Sequence, residues 1–261
     1  MRVSLIITTY NRPDALLLVL LSIAGQMTLP DEVIIADDGS DSESQKLITD
    51  FRQSSNLNII HSWQEDKGFR AAKSRNKAIS KSNGDYIVLI DGDMILHPEF
   101  INDHINQAQP SFFVQGSRVL LTEDKTNQTL DQQKINFSLL SNGLQNRKNA
   151  FHSNILSTLF SNKRNYLRGI RTCNMAFYKQ DCININGFNN DFEGWGREDT
   201  EFITRLLNSG INRKNVRFNA IQFHLWHNEN IRDSLEKNDA ILQEAIDNRT
   251  KWCFNGIDSY L

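Results

Sequence analysis

Two aspartates separated by a glycine, Asp91-Gly92-Asp93, are the residues of this sequence best suited to chemistry. They follow an apolar run from Tyr86 to Ile90 that is typical of a strand buried on both faces. Ligands bind at the carboxyl ends of strands in open α/β sheets, and glycine lets a phosphate or metal approach the backbone. Two carboxylates this close repel each other unless a cation lies beside them. The pattern predicts a metal or phosphate site, with an ordinary Asp-Gly turn as the alternative.

A second group of polar residues lies in the last third of the chain. Two glycines flank Trp195, and Glu198 and Asp199 follow just before a helix predicted at Phe202 to Asn208. The helix dipole favours acidic residues in a first turn, so helix capping is one explanation of the two acids. The flanking glycines favour another, in which the loop bends or closes over a substrate.

The first 120 residues alternate strand and helix patterns, and this alternation must position both groups. We predict strands at Val3–Thr9, Glu32–Ala36, Leu57–Trp63 and Tyr86–Ile90, and helices at Pro13–Gly25, Ser42–Gln53 (with Ser42 as its cap) and Phe69–Ser80. Repeated βαβ units imply a parallel sheet with right-handed crossovers, in which the strand ends collect on one edge. The fold class is therefore α/β.

Beyond Asp93 the alternation weakens. We predict helices at Pro98–Gln109, Asp181–Ile185 and Leu235–Asp247, and strands at Phe112–Leu121, Asn174–Tyr178 and Val216–Phe223. The last of these strands leads to His224 and His227. A lone histidine is more often structural than a metal ligand, but two in a chain with paired aspartates make a shared site more plausible.

From Gln132 to Gln180 the chain contains no acidic residue. The basic residues of this segment are Lys134, Arg147, Lys148, Lys163, Arg164, Arg168, Arg171 and Lys179. Apolar residues recur in it at helical spacing: Phe151, Ile155, Leu156, Leu159 and Phe160. Such a stripe usually packs into a core. The alternative is a surface at 134–179 that contacts anionic lipid or a lipid-linked acceptor.

Composition narrows the class of protein. The chain has 261 residues, enough for a full core, and its formal net charge of −2 gives no general attraction to nucleic acid. No apolar run approaches the roughly 20 residues that span a bilayer. The three cysteines lack metal-ligand spacing, which fits a reducing compartment. We therefore expect a cytoplasmic location, including peripheral contact with the inner face of the membrane.

Six motifs together resemble the inverting glycosyltransferases of the GT-A fold. The first half is similar to family 2, and the later third to a segment shared by β-1,4-galactosyltransferases and chondroitin-type polymerases. The motifs are Thr8-Thr9-Tyr10-Asn11-Arg12, Asp37-Asp38-Gly39-Ser40, the run from Gly68 to Asn76, Asp91-Gly92-Asp93, Gly194-Trp195-Gly196-Arg197-Glu198-Asp199, and His224 to His227. The resemblance spans about residues 1–230, while 121–171 match nothing specific.

The resemblance implies a GT-A fold with a mixed, mainly parallel central sheet flanked by helices. It also implies a catalytic domain over 1–230, with a nucleotide-binding part at 1–120 and an acceptor and catalytic part at 170–230. A basic helical insertion would occupy 121–170, and a C-terminal helix and tail 231–261.

By the same resemblance, the nucleotide of a UDP-sugar would contact Thr9, Tyr10, Arg12, Asp38, Asp66, Arg75 and Asp91. The Asp38 carboxylate would accept the uracil imide hydrogen, although it could instead be a turn residue. Asp66 and Arg75 would add base and phosphate contacts, and either could be an ordinary helix-end charge. Asp91 would face the ribose.

Asp93 would ligate a divalent cation that bridges the phosphates, with His227 as the imidazole ligand and His224 as the second choice. Oxygen ligands with one imidazole suit Mn²⁺ or Mg²⁺ better than zinc. Asp199 would take the proton of the acceptor hydroxyl as general base. Glu198 would orient the acceptor, and Trp195 would offer its face to a sugar ring.

The resulting hypothesis is a metal-dependent inverting transfer of a hexose or N-acetylhexosamine from a UDP-sugar to a glycan or lipid-linked acceptor, in surface polysaccharide synthesis. A sugar-nucleotide nucleotidyltransferase is one alternative, but it normally needs a glycine-rich basic loop that Thr8 to Pro13 does not provide. A non-catalytic glycan-binding protein on the same fold is the other, and it would be expected to lack the carboxylates and histidines.

Overall fold

Two β-sheets with surrounding helices organise the chain, and the structure, a computed structural model, describes residues 1–228 and 233–261. The strands are β1 (Val3–Thr9), β2 (Glu32–Asp37), β3 (Ile59–Trp63), β4 (Tyr86–Asp91), β5 (Met94–Leu96), β6 (Phe112–Gln115), β7 (Ser117–Leu121), β8 (Leu144–Gln145), β9 (Asn162–Lys163), β10 (Asn174–Tyr178), β11 (Asn212–Asn215) and β12 (Ile221–His224). The α-helices are α1 (Pro13–Ala24), α2 (Ser42–Ser54), α3 (Ala71–Lys81), α4 (Phe100–Gln107), α5 (Glu123–Gln132), α6 (Asn154–Phe160), α7 (Lys179–Asn184), α8 (Glu198–Asn208) and α9 (Leu235–Asp247). Short 3₁₀ helices lie at Arg147–Ala150 and Ile257–Tyr260.

The larger sheet has the strand order β3-β2-β1-β4-β10-β6-β11-β9, and β5-β12-β7-β8 form the smaller one. Strands β1 to β4 pair in parallel, whereas β10 is antiparallel to both β4 and β6. The α/β class and the mixed sheet with a parallel first half are confirmed. Because β1, β2 and β4 run in parallel, their carboxyl ends meet at one edge of the sheet.

Helices cover both faces of the larger sheet because its central strands are apolar throughout. Successive residues of a strand point to opposite faces. Leu5 of β1 therefore packs in a cluster with Leu16 of α1, while Ile6 packs in another cluster with Ala72 and Ala78 of α3. The central strands are thus buried between α1 and α3. The carboxyl ends of these strands are left to hold a site.

Three predicted elements need correction. The cap of α2 is Asp41, whose side chain accepts a hydrogen bond from Ser44 N, and not Ser42. The predicted strand Phe112–Leu121 is two strands divided at Gly116, where a Cβ would lie 2.5 Å from the Asn174 side chain. The segment predicted as one strand therefore contributes to two sheets, with β6 beside β10 and β7 beside β12.

The strand predicted at Val216–Phe223 is also wrong over its first half. Phe218 and Ala220 have left-handed backbone conformations, with φ of 64° and 50°, that a strand does not allow. Strand β12 therefore begins at Ile221.

The basic segment, residues 132–180, does not pack its apolar stripe into the core. The interpretation of this stripe as part of the core is therefore not supported. Ile155 and Leu159 of α6 are 75% and 70% exposed, and Phe151 and Phe160 are also exposed. None of the helices in the described residues has the length and apolarity that crossing a bilayer requires. The predicted boundary near residue 230 falls outside the described residues.

Candidate active site

A cavity of about 540 Å³ opens at the carboxyl edge of the parallel strands. Its volume is within the range typical of ligand sites, about 300–1,000 Å³. Most of the residues predicted for the site line it: Thr9, Tyr10, Arg12, Asp38, Arg75, Asp91, Asp93, Trp195, Glu198, Asp199, His224 and His227. The structure therefore brings together residues from both ends of the chain.

The buried side chain of Arg75 joins three carboxylates in the floor of this cavity. Its Nη1 lies 3.0 Å from Asp199 Oδ1 and 3.5 Å from Glu198 Oε1, and its Nη2 lies 3.4 Å from Asp91 Oδ1. Burial lowers the pKa of Arg75, but the three acids outweigh that effect and raise it. The guanidinium is therefore always charged, and it holds the start of α8 against the end of β4.

Asp199 is held in one orientation by a residue that sequence reasoning missed. Thr172 donates to it twice, from the backbone N to Oδ2 at 2.9 Å and from Oγ1 to Oδ1 at 2.6 Å. Thr172 directly precedes Cys173 and β10 in the chain, and no spacing rule connects it with α8. The Asp199 side chain remains 24% exposed, so it can meet a ligand in the cavity.

Glu198 lies deeper than Asp199, with 10% of its side chain exposed. Burial and the neighbouring charge of Asp199 raise the pKa of Glu198 to about 7. Burial also raises the pKa of Asp91 to about 6, although Arg75 opposes the shift. Both shifts favour the protonated forms of these carboxyl groups relative to free side chains.

Asp93 and the two histidines form a set of potential metal ligands. The Nε2 atoms of His224 and His227 each lie 3.4 Å from Asp93 Oδ2. Burial raises the pKa of Asp93, but contact with the imidazoles and Arg12 lowers it overall. Among the described residues, its buried Oδ1 has no hydrogen-bond partner. An unpaired buried carboxylate oxygen beside two imidazoles fits a divalent cation.

The ends of β1 and β2 form the side of the cavity that contains residues predicted to contact a nucleotide. Asp38 is 4% exposed, and its oxygens accept from Gln64 Nε2 at 2.5 Å and from Arg70 N at 2.6 Å. Tyr10 is half exposed and donates its hydroxyl to Asp66 Oδ2 at 2.9 Å. Asp66 does not line the cavity itself, so its place in the site is next to Tyr10.

Two glycines of the site are required by close packing. A Cβ on Gly92 would lie 2.9 Å from Thr9 Oγ1, so a side chain here would collide with the end of β1. Ligand approach alone therefore does not explain this glycine. Gly194 has a φ of 73°, and a Cβ there would lie 2.2 Å from Ser234 Oγ. Asn238 of α9 donates to the backbone O of Gly196 at 3.0 Å. The C-terminal helix therefore supports the loop that carries Trp195.

The three cysteines take no part in this chemistry. All are free and buried, and burial raises the pKa of each thiol to about 12. Buried thiols of this kind pack as small apolar residues.

Two family models match the chain. The model described as glycosyl transferase family 2 matches residues 4–184, and the one described as the N-terminal domain of galactosyltransferase matches residues 155–228. The chain is 28% identical over 230 residues to hyaluronan synthase of Pasteurella multocida, covering 79% of this chain and 23% of that protein. It is 26% identical over 248 residues to chondroitin synthase of Escherichia coli, covering 85% and 34%. The chain thus spans about a quarter to a third of these relatives.

Solved structures share the fold. TarS of S. aureus, residues 1–349 in complex with UDP, matches with a TM-score of 0.62 and 16% identity, over 93% of this chain and 64% of that one. The mannosyltransferase PcManGT of Pyrobaculum calidifontis, in complex with GDP-Man and Mn²⁺, matches with a TM-score of 0.56 and 17% identity, over 86% and 56%. At these identities the likeness concerns the fold alone.

Proposed function

The chain belongs to glycosyl transferase family 2, and from that premise we propose that it is a metal-dependent, inverting enzyme that uses a UDP-sugar. It transfers a hexose or N-acetylhexosamine to a hydroxyl of a glycan or lipid-linked acceptor in surface polysaccharide synthesis. The observation that carries the proposal is the convergence of Asp93, His224, His227 and Asp199 on one cavity. The family assignment leaves no support for the nucleotidyltransferase alternative.

In the proposed reaction, Asp199 takes the proton of the acceptor hydroxyl as that oxygen bonds to the anomeric carbon. The bond from this carbon to the diphosphate oxygen breaks, and UDP leaves with the electron pair. Direct displacement inverts the anomeric configuration. Thr172 and Arg75 hold the Asp199 carboxylate in place for this step, and preorganised positioning is a large part of enzymatic rate enhancement.

Asp93, His224 and His227 would hold the cation, Mn²⁺ or Mg²⁺. When bound, such a cation acts as a Lewis acid that neutralises charge on the departing diphosphate. Both imidazoles lie equally far from Asp93 Oδ2, so the geometry supports His224 as a ligand as well as His227. The Mn²⁺ in the mannosyltransferase of the same fold supports this assignment.

The nucleotide would lie between the ends of β1 and β2, against Thr9, Tyr10 and Asp38. A UDP donor is supported by the UDP complex of TarS. The Arg75 guanidinium already contacts three carboxylates. Arg12 is therefore the more accessible cation for a phosphate. Trp195 lines the cavity near Glu198, as an aromatic platform for the acceptor sugar would.

Peripheral membrane contact belongs to the same proposal. The exposed side chains of α6, Ile155 and Leu159, lie in a segment without acidic residues. An apolar face with cationic neighbours is the pattern that binds an anionic lipid surface. Such contact would bring the active site to a lipid-linked acceptor on the inner face of the membrane.

Incubating the protein with a panel of UDP-sugars and Mn²⁺, and measuring thermal unfolding and UDP release, tests the function. A donor that binds raises the melting temperature by mass action, and hydrolysis or transfer releases UDP. We expect one UDP-sugar to do both. Protection by no UDP-sugar, together with no UDP release, would contradict the proposal.

A further inference from the structure

A second cavity, of about 260 Å³, lies beside the active site. Its lining includes Arg118, Arg171, Arg213 and Arg217, and no carboxylate of the described residues. We refer to it as the arginine cavity. Its volume is well above the roughly 30 Å³ that one water molecule occupies, so it can hold a small polar group.

The arginine cavity adjoins the reacting centre. Arg118 lines both cavities. In the segment that separates them, Thr172 donates to Asp199, while its neighbours Arg171 and Cys173 line the arginine cavity. Thr172 therefore lies between a group bound in the arginine cavity and Asp199, the proposed general base.

The positive charge of this cavity has no counter-charge among the described residues of the protein. In the described part of the chain, none of the four arginines forms an ion pair with a carboxylate. Within residues 1–228 and 233–261, the Arg118 guanidinium has a 4.0 Å contact from Nη1 to Cys173 Sγ, and its buried Nε has no partner there. Burial and the nearby Arg118 lower the pKa of Arg171. Like charges held this close favour the binding of an anion.

Arg213 differs from the other three arginines of the cavity because its guanidinium binds backbone carbonyls. It is 3% exposed and donates from Nη1 to the carbonyls of Tyr166 and Arg168 at 3.1 Å. It thereby fixes the loop that forms one wall of the arginine cavity. Guanidinium groups bind carboxylate and phosphate in a bidentate manner, and Arg118 and Arg171 keep donors for this purpose.

We propose that the arginine cavity binds an anionic group of the acceptor glycan, a carboxylate or a phosphate, next to the sugar whose hydroxyl is glycosylated. This inference rests on the proposed function and names its acceptor class. The donor diphosphate is assigned elsewhere, beside Asp93 and the histidines, so the acceptor is the substrate that reaches these arginines.

Binding of three oligomers tests the inference: a hexuronate-containing oligosaccharide, the same oligosaccharide with its carboxyl groups reduced to hydroxymethyl groups, and a ribitol phosphate oligomer. Affinity is measured by calorimetry with and without saturating UDP and Mn²⁺. We expect the carboxylated or the phosphorylated oligomer to bind at least ten times more tightly than the neutral one, and the stronger of the two identifies the anion.

Arg171→Gln, which leaves the anchor Arg213 intact, should remove that preference. Arg52→Gln, an exposed arginine of α2 outside both cavities, should retain it. Equal affinities for the charged and neutral oligomers, or an unchanged preference in Arg171→Gln, would overturn the inference. Failure of the proposed function is seen separately, as absent UDP binding and UDP release, because the oligomers are also measured without nucleotide.

Discussion

Arg75 Nη1 lies 3.0 Å from Asp199 Oδ1, and this contact connects α3 with the first turn of α8. The same guanidinium reaches Glu198 and Asp91. One buried cation thus balances three acids that would otherwise repel each other across the floor of the cavity. Its loss would affect both the stability of the protein and the geometry of the site.

Arg75→Met should destabilise the protein by about 3 kcal/mol, the lower end of the range for breaking a buried ion pair, because Asp91 is 37% exposed. Urea unfolding monitored by circular dichroism measures the change. Arg52→Met, at an exposed position, is the control and should stay within about 0.5 kcal/mol of the wild type. A loss below about 1 kcal/mol in Arg75→Met would show that the acids are not held by this residue.

Asp199→Asn should lower turnover by about 10²–10⁴, the usual value of general acid–base catalysis, while UDP still binds. Steady-state UDP release and calorimetry measure the two quantities. Unchanged turnover would remove Asp199 from its proposed role.

Helix α5 offers a matched control, because Glu123-Asp124 begin it as Glu198-Asp199 begin α8. Asp124→Asn removes the same charge from the first turn of an exposed helix. It should leave turnover unchanged. A comparable loss in both variants would favour the helix-dipole explanation of the two acids.

Glu198→Gln should alter the pH dependence of stability. The pKa of Glu198 is raised from 4.5 to about 7 in the folded protein. The native state therefore binds more protons than the unfolded state between these pH values, and the Glu198 contribution to stability falls as pH rises through 7. Relative to the wild type, the variant should gain stability from pH 4.5 to 8.

Chemical denaturation in EDTA at several pH values measures this difference. Glu123→Gln, at the same position of α5, is the control and should show no such gain. A difference between wild type and Glu198→Gln that does not change with pH would mean that the pKa of Glu198 is not raised on folding.

Asp93→Ala should abolish the part of UDP affinity that depends on Mn²⁺. His224→Ala and His227→Ala should each weaken it, since both imidazoles are equally close to Asp93. Calorimetry with Mn²⁺ and with EDTA separates the metal-dependent part. Asp14→Ala, at an exposed residue of α1, is the control. Equal UDP affinity with and without Mn²⁺ in the wild type would refute the metal assignment.

Leu159→Ser should reduce binding to vesicles that contain anionic lipid by about ten-fold or more, because burying a leucine side chain contributes about 1.5–3 kcal/mol and each 1.4 kcal/mol is about a factor of ten. Co-sedimentation with anionic and with neutral vesicles measures it. Met27→Ser is the control, because Met27 is another apolar residue, 74% exposed, that lies outside the basic segment. If the wild type binds neither kind of vesicle, the proposal that α6 contacts a membrane is contradicted.

Local sequence patterns predicted the elements that carry the site. Four of the parallel strands, the helices between them and the strand end at Asp91 and Asp93 follow from the period of apolar residues, which depends on neighbours in the chain. The resemblance to known families supplied the roles of Asp38, Asp199 and His227. Those roles remain predictions, although the structure places the three side chains around one cavity.

Only the tertiary structure decided which side chains meet. Thr172 and Arg118 carry no local signal, yet one holds Asp199 and the other lies between two cavities. Gly116 divides the segment predicted as one strand, and its two halves pair in different sheets. Local periodicity reports which face of an element is apolar, whereas contacts between residues far apart in the chain depend on how the elements pack. For that reason the charge balance at Arg75 and the arginine cavity emerged only from the folded chain.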